Sequence, residues 1–207
     1  MTSPTHHVLT LLHYPLLLCV HSVRGIENLP EPPYIIAANH PSILDPLVLH
    51  LILHRHGGYH PRFLVAEHLY FPPFSWYFSF FGSVRVTKRD PARTLEQAHT
   101  VLENGGTIGI FPEGRLSPYG TRSLKTGVAR LASSSRAPVV PVRITRVGLG
   151  RVSLEFKPPL TYEGDDTRTG WDRFCSTIAD EILTSSARPE QRPRPPAPEQ
   201  GDRKTRG

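Results

Sequence analysis

Short β-rich apolar runs alternate with helix-patterned stretches along this chain, and that alternation restricts the fold more than any other feature. Strand-like runs occur at 34–38, 62–65, 84–87, 107–111, 139–145 and 152–156. Helical spacing fills most of the gaps. Pro46 to Leu53 reads as an apolar helix. Asp90-Pro91 is an N-cap followed by proline at the first helical position, and the stripe Leu95, Ala98, Val101, Leu102 stops at Gly105-Gly106. A further helix is predicted over 124–136, and Trp171, Phe174, Ile178 and Ile182 form the apolar stripe of a last one. The pattern predicts an α/β fold: a single domain with a mostly parallel or mixed sheet flanked by helices. The last two strands, joined only by 146–151, are expected to run antiparallel.

The run Tyr34-Ile35-Ile36-Ala37-Ala38 leads straight into Asn39-His40-Pro41-Ser42-Ile43-Leu44-Asp45. His40 and Asp45 therefore straddle a strand-to-helix turn. Five residues along a regular helix would set their side chains roughly 140° apart, whereas a turn lets the carboxylate fold back onto the imidazole. A carboxylate on one ring nitrogen fixes the tautomer and leaves the other free to take a proton from a hydroxyl. That is a general base with its orienting partner, and it requires no nucleophilic serine. Ser42 lies in no G-x-S-x-G elbow, a pattern absent from the chain; it is expected to cap the following helix.

A second element lies at another strand end. Thr107-Ile108-Gly109-Ile110-Phe111 breaks into Pro112-Glu113-Gly114-Arg115-Leu116-Ser117-Pro118, at the position where open α/β sheets hold ligands. The HxxxxD and FPEG elements together resemble the glycerolipid acyltransferase family, whose best-known members acylate 1-acylglycerol 3-phosphate. The resemblance spans roughly residues 20–160 and extends to Gly82-Ser83-Val84-Arg85-Val86-Thr87-Lys88 and to Val139-Val140-Pro141-Val142. One HxxxxD occurs often by chance; four blocks in order, each at a strand end, do not.

The resemblance implies catalytic roles for His40, as base toward the acceptor hydroxyl, and for Asp45, which holds the imidazolium. It gives Asn39 a supporting hydrogen bond. It assigns Glu113, Gly114 and a following arginine to the acceptor's glycerol phosphate. The commoner order is F-P-E-G-T-R-S; here Arg115 directly follows Gly114, and Leu116 stands at the arginine position. The basic position after Gly82 falls on Lys88, with Arg89 next, and Lys125 is a weaker third candidate. Where family members often carry a lysine this chain has Ala66. The implied reaction moves a fatty acyl group from acyl-coenzyme A or acyl carrier protein to a lysophospholipid, with neither metal nor bound cofactor. Glycerol 3-phosphate, an amino-lipid or a glycolipid remain open as acceptors, as does a non-catalytic lipid-binding role on the same scaffold.

Composition narrows the setting. The chain has 207 residues, enough for one domain with a substantial core. Hydrophobic content of 38% and mean hydropathy of −0.28 argue against a polytopic membrane protein. The longest apolar stretch, residues 8–20, has 13 residues where a spanning helix needs about 20. An interfacial segment or packing on the domain is expected there instead. Met1-Thr2-Ser3-Pro4 carries no positive charge, so no signal peptide is expected. The formal net charge of +6 favours an anionic membrane surface as partner. Nucleic acid fits poorly, because the aromatic cluster lacks interleaved basic residues. The expected division is 1–20 as an N-terminal apolar segment, 21–187 as the acyltransferase domain, and 188–207 as a disordered Pro/Arg-rich tail. Two cysteines, Cys19 and Cys175, are expected as buried free thiols, and the protein as cytoplasmic, peripheral on the cytoplasmic face of the membrane.

Two further clusters stand out. Tyr70 to Phe81 holds eight aromatic residues in twelve, more than one buried face takes, which suggests lipid contact. His54, His56 and His60 have metal-like spacing but no flanking Cys, Asp or Glu; solvated loop histidines are the expected state.

Overall fold

The computed structural model describes residues 13–72, 74–118, 121, 123–148 and 150–183. Residues 1–12 of the apolar N-terminal segment, and the 188–207 tail, lie outside these. The strands are β1 (Val20–Arg24), β2 (Tyr34–Ala38), β3 (Arg62–Ala66), β4 (Val84–Val86), β5 (Thr107–Ile110), β6 (Val139–Val147) and β7 (Arg151–Phe156). The helices are α1 (Asp45–Gly57), α2 (Phe74–Phe80), α3 (Pro91–Glu103), α4 (Gly127–Ser135) and α5 (Arg168–Leu183).

One seven-stranded sheet runs in the order β1-β7-β6-β2-β5-β3-β4. Every residue of β2 is buried, and it pairs in parallel with β5 and β6. A strand covered on both faces needs no polar alternation, which is why Tyr34-Ile35-Ile36-Ala37-Ala38 reads as a continuous apolar run. Successive residues still point to opposite faces. Ile35 and Ala37 join Ile108, Leu102, Leu131 and Ile178 beneath α3, α4 and α5. Tyr34, Ile36 and Ala38 join Leu49, Leu53 and Phe63 beneath α1. β3 and β4 extend the parallel block. β7 runs antiparallel to β6, as the short connection predicts.

Two elements and one side chain differ from the sequence reading. β1 pairs with β7 through Val20, Ser22, Val23 and Arg24. Its half-exposed Val-His-Ser-Val-Arg run carries no alternation that marks a strand, and the expected boundary between residues 20 and 21 falls inside it. α4 starts at Gly127, later than expected, because Lys125 donates its backbone N–H to the Pro112 carbonyl at 2.8 Å and is held outside the helix. Cys19 is half-buried; only Cys175 is buried, and both are free.

The N-terminal part that is described has a mixed character. Leu17 and Val20 pack against the core, whereas Leu18 is 81% exposed. Among the described residues no helix is long and apolar enough to cross a membrane. Parallel pairing of β4, β3, β5, β2 and β6 brings five carboxyl ends to one edge of the sheet, and both sequence motifs begin there.

Candidate active site

The chain leaves β2 at Asn39, whose side chain is used to fix the loop. Its amide nitrogen donates to the Ile144 carbonyl at 2.8 Å, and its oxygen accepts the Ile144 N–H at 2.6 Å. The side chain thereby continues the β2–β6 ladder for one more rung. At 7% exposure neither polar end has water as a substitute. His40 then turns over the sheet edge, and its ring stacks on Phe111 with centroids 4.1 Å apart and planes 19° from parallel. Phe111 stacks in turn on Phe63. The imidazole is held by its face as well as by its edge.

Asp45 is the first residue of α1 and is 2% exposed. Its Oδ2 lies 2.8 Å from His40 Nδ1 and accepts the Ser42 N–H at 2.7 Å. A carboxylate only accepts, so Nδ1 carries the hydrogen, and Nε2 of the neutral ring keeps its lone pair. The positive end of α1 adds stabilisation to the same carboxylate. No hydrogen bond to His40 Nε2 occurs among the described residues, and the side chain is 17% exposed. Ser42 does not cap α1 with its side chain, contrary to expectation. The helix follows Leu44 without a side-chain cap, and the Ser42 hydroxyl accepts the Leu44 N–H at 3.3 Å within the turn. The backbone N–H of Ser42 is what serves Asp45.

The FPEG loop closes against this pair from β5. Glu113 Oε1 accepts the backbone N–H of His40 at 3.2 Å, and the Ser117 N–H donates to the His40 carbonyl at 2.8 Å. The two motifs are therefore bonded to each other at both peptide groups of His40. Glu113 is 5% exposed, and its Oε2 has no hydrogen-bond partner among the described residues. Gly114 turns with φ of +66°, and a Cβ there would overlap Nζ and Cε of Lys125. Glycine meets both demands. Beside it opens a cavity of about 360 Å³ lined by Glu113, Gly114, Arg115, Ser123 and Lys125 among others.

Of the predicted residues, His40, Asp45, Glu113, Gly114 and Arg115 are thus brought together. Arg115 is exposed on the loop, and Leu116 beside it is exposed too. Lys88 and Arg89 follow β4, the outermost strand of the parallel block. Both are exposed and neither lines the cavity. Lys125, the weaker candidate from the sequence, lines the cavity instead, since its side chain lies against Gly114, a contact that no local pattern encodes. Phe111 was legible only as a strand residue. Cys175 donates through Sγ to the Lys125 carbonyl at 3.7 Å, and burial pushes its thiol up to about 11.

The histidine expectation needs correction. His56 is exposed, but His54 and His60 are half-buried, with ring centroids 4.8 Å apart, and buried His50 lies 5.3 Å from His60. α1 continues to Gly57, so His50 and His54 share one helix face turned toward the start of β3. Among the described residues no group of three or more His, Cys, Asp or Glu is arranged to hold a metal ion. In the aromatic run, Trp76 is 63% exposed and Phe71 is exposed, while Tyr77, Phe78, Phe80 and Phe81 are partly covered.

Comparison with known proteins gives a consistent result. Residues 20–145 match the family model described as Acyltransferase. The 1-acyl-sn-glycerol-3-phosphate acyltransferase of Pseudomonas aeruginosa is 30% identical over 129 residues, 59% of this chain and 48% of that protein. The probable 1-acyl-sn-glycerol-3-phosphate acyltransferase of Mycoplasma pneumoniae is 29% identical over 140 residues, 62% of this chain and 52% of that one. The chain thus spans about half the length of these relatives. Among solved structures, the 1-acyl-sn-glycerophosphate acyltransferase PlsC of Thermotoga maritima shares the fold. Its TM-score is 0.63 at 24% identity, over 89% of this chain and 80% of that one.

Proposed function

The chain belongs to the Acyltransferase family, and from that membership we propose that it moves a fatty acyl group from a thioester to 1-acyl-sn-glycerol 3-phosphate, giving phosphatidic acid. The donor is acyl-coenzyme A or acyl carrier protein. The observation that carries this reading is the His40 Nδ1–Asp45 Oδ2 pair at 2.8 Å with Nε2 left without a partner among the described residues. Nε2 takes the proton of the acceptor hydroxyl as its oxygen attacks the thioester carbonyl. The tetrahedral oxyanion collapses, the C–S bond breaks, and the imidazolium returns its proton to the leaving thiolate. The products are an ester and a free thiol, and His40 ends neutral. A thioester is already activated, so positioning and one proton transfer supply most of what the enzyme must add. Asp45 stabilises the imidazolium that forms between the two steps.

Glu113, Gly114 and Arg115 form the acceptor side of the site in this reading. Lys88 and Arg89 add positive charge along the same sheet edge. The protein works as a peripheral enzyme on the cytoplasmic face of an anionic membrane. Apolar residues near the motifs support that setting: Ile43 and Leu44 in the His40–Asp45 turn, Leu116 in the FPEG loop, and Phe71, Trp76 and Leu18 elsewhere are all exposed.

The displaced arginine and Ala66 keep one second reading open, in which the acceptor is glycerol 3-phosphate, an amino-lipid or a glycolipid. Release of free thiol from acyl-coenzyme A and from acyl carrier protein, measured with a panel of lyso-acceptors, tests both. Fastest release with 1-acylglycerol 3-phosphate is the expected result. Faster release with another acceptor moves the assignment to that one, and no release above hydrolysis with any acceptor refutes acyl transfer.

A further inference from the structure

The motif arginine of this chain is displaced. Leu116 stands where the commoner order has arginine, and Arg115 sits on an exposed bend. A cation is present nearby from a different element. Lys125 lies where the chain enters α4, and its backbone is tied on both sides. Its N–H donates to the Pro112 carbonyl at 2.8 Å, and its carbonyl accepts from Cys175 Sγ at 3.7 Å. From that anchor the aliphatic stem crosses directly above Gly114, filling the space that any other residue at 114 would need. The ammonium has no carboxylate within ion-pair distance among the described residues, and it lines the cavity beside Glu113 and Ser123.

Glu113 supplies the second observation. Its carboxylate is 5% exposed, one oxygen is bonded to the His40 N–H, and the other is buried without a partner among the described residues. A phosphate entering this cavity meets a buried negative charge one residue from Gly114. Like charges repel, so a cation lining the same cavity is needed for a phosphorylated acceptor to bind beside Glu113. Lys125, exposed like Arg115, lines that cavity, and its stem lies against the Gly114 backbone, which lowers the entropy lost on binding.

We propose that Lys125, and not the displaced arginine, is the principal cation for the phosphate of the acceptor, making it the residue that sets preference for a phosphorylated glycerolipid. This rests on the acyltransferase reading above and adds to it a residue and a selectivity. Arg115, on its bend, is an auxiliary charge at the cavity mouth.

The test compares wild type, Lys125→Gln, Lys125→Arg and Arg115→Gln with two acceptors, 1-acylglycerol 3-phosphate and the neutral 1-acylglycerol. Loss of a charge-assisted contact corresponds to about ten- to a hundredfold in binding. Lys125→Gln should cut the preference for the phosphorylated acceptor by about that factor, through KM more than kcat. Lys125→Arg should keep most of it, and Arg115→Gln should change it less. A purely structural Lys125 would lower activity with both acceptors alike and leave the ratio intact, and that result overturns the proposal. So does loss of the ratio in Arg115→Gln alone. Binding of 1-acylglycerol 3-phosphate by calorimetry, below its micelle concentration, is read in parallel and does not require turnover. If wild type transfers no acyl group, the acyltransferase reading fails. Weaker binding in Lys125→Gln than in wild type still supports the phosphate site, and equal or undetectable binding in both removes it.

Discussion

Asp45 does two things with one oxygen, and the prediction at this position depends on both. Oδ2 accepts from His40 Nδ1 and from the Ser42 N–H, so it fixes the ring and the turn that carries the ring. Asp45→Asn keeps the shape but exchanges an acceptor-only group for an amide, whose NH2 can bond the opposite imidazole tautomer. Turnover should fall by at least about 10² with little change in acceptor KM; steady-state kinetics on protein with an unchanged melting temperature checks this, and a fall below tenfold would mean that the tautomer is not controlled by Asp45. The pair was legible in the sequence because the HxxxxD block stands in order with the FPEG block and two others, each at a strand end. The supports of the pair were not. That Asn39 would grip Ile144, 105 positions away, and that Phe111 would stack on His40, follow from β2 lying between β5 and β6. No local pattern encodes that strand order.

At the scale of elements, strands and helices were read from periodicity and the main outlines agree, because buried parallel strands and amphipathic helices have distinct repeats. Asp90 caps α3 by accepting the Arg93 N–H at 3.0 Å, as the Asp-Pro pair indicates. Failures fall where tertiary contacts overrule local preference. β1 is a strand because β7 offers it an edge, and α4 begins late because Pro112 takes the Lys125 N–H. In the proposed reaction the FPEG loop is the element whose backbone conformation bears most directly on acceptor binding. Gly114→Ala must place a methyl group at φ of +66° and on the stem of Lys125. The left-handed conformation alone costs about 1–2 kcal/mol. The variant should show a lowered urea midpoint and a raised acceptor KM. An acceptor KM equal to wild type would show that Lys125 and the loop can move apart without loss of binding.

At the scale of the whole molecule, buried groups set the response to pH and exposed ones the response to a surface. Burial pushes the Cys175 thiol from 9.0 up to about 11 and the Tyr34 hydroxyl from 10.0 up to about 12. Raised values mean that the folded state holds protons the unfolded chain releases. The stability this provides is intact below pH 9 and is lost as pH rises through about 11 for Cys175 and about 12 for Tyr34. Urea midpoints taken from pH 8 to 11 should therefore decline, and decline less steeply in Cys175→Ala; equal slopes would remove the thiol's part. Exposed Ile43, Leu44, Leu116, Phe71 and Trp76, with the net charge of +6, predict sedimentation with phosphatidylglycerol vesicles, weaker sedimentation with neutral ones, and partial release by salt. Equal sedimentation with both at every salt concentration would exclude the electrostatic part. The proposed acyl transfer is measured most directly by the rate at which the purified protein forms phosphatidic acid from a long-chain acyl-coenzyme A and 1-acylglycerol 3-phosphate, set beside the same rate for folded His40→Ala. Wild type should form product with one thiol released per ester, and His40→Ala should be slower by at least about 10²; near wild-type turnover in a folded His40→Ala protein would contradict the account.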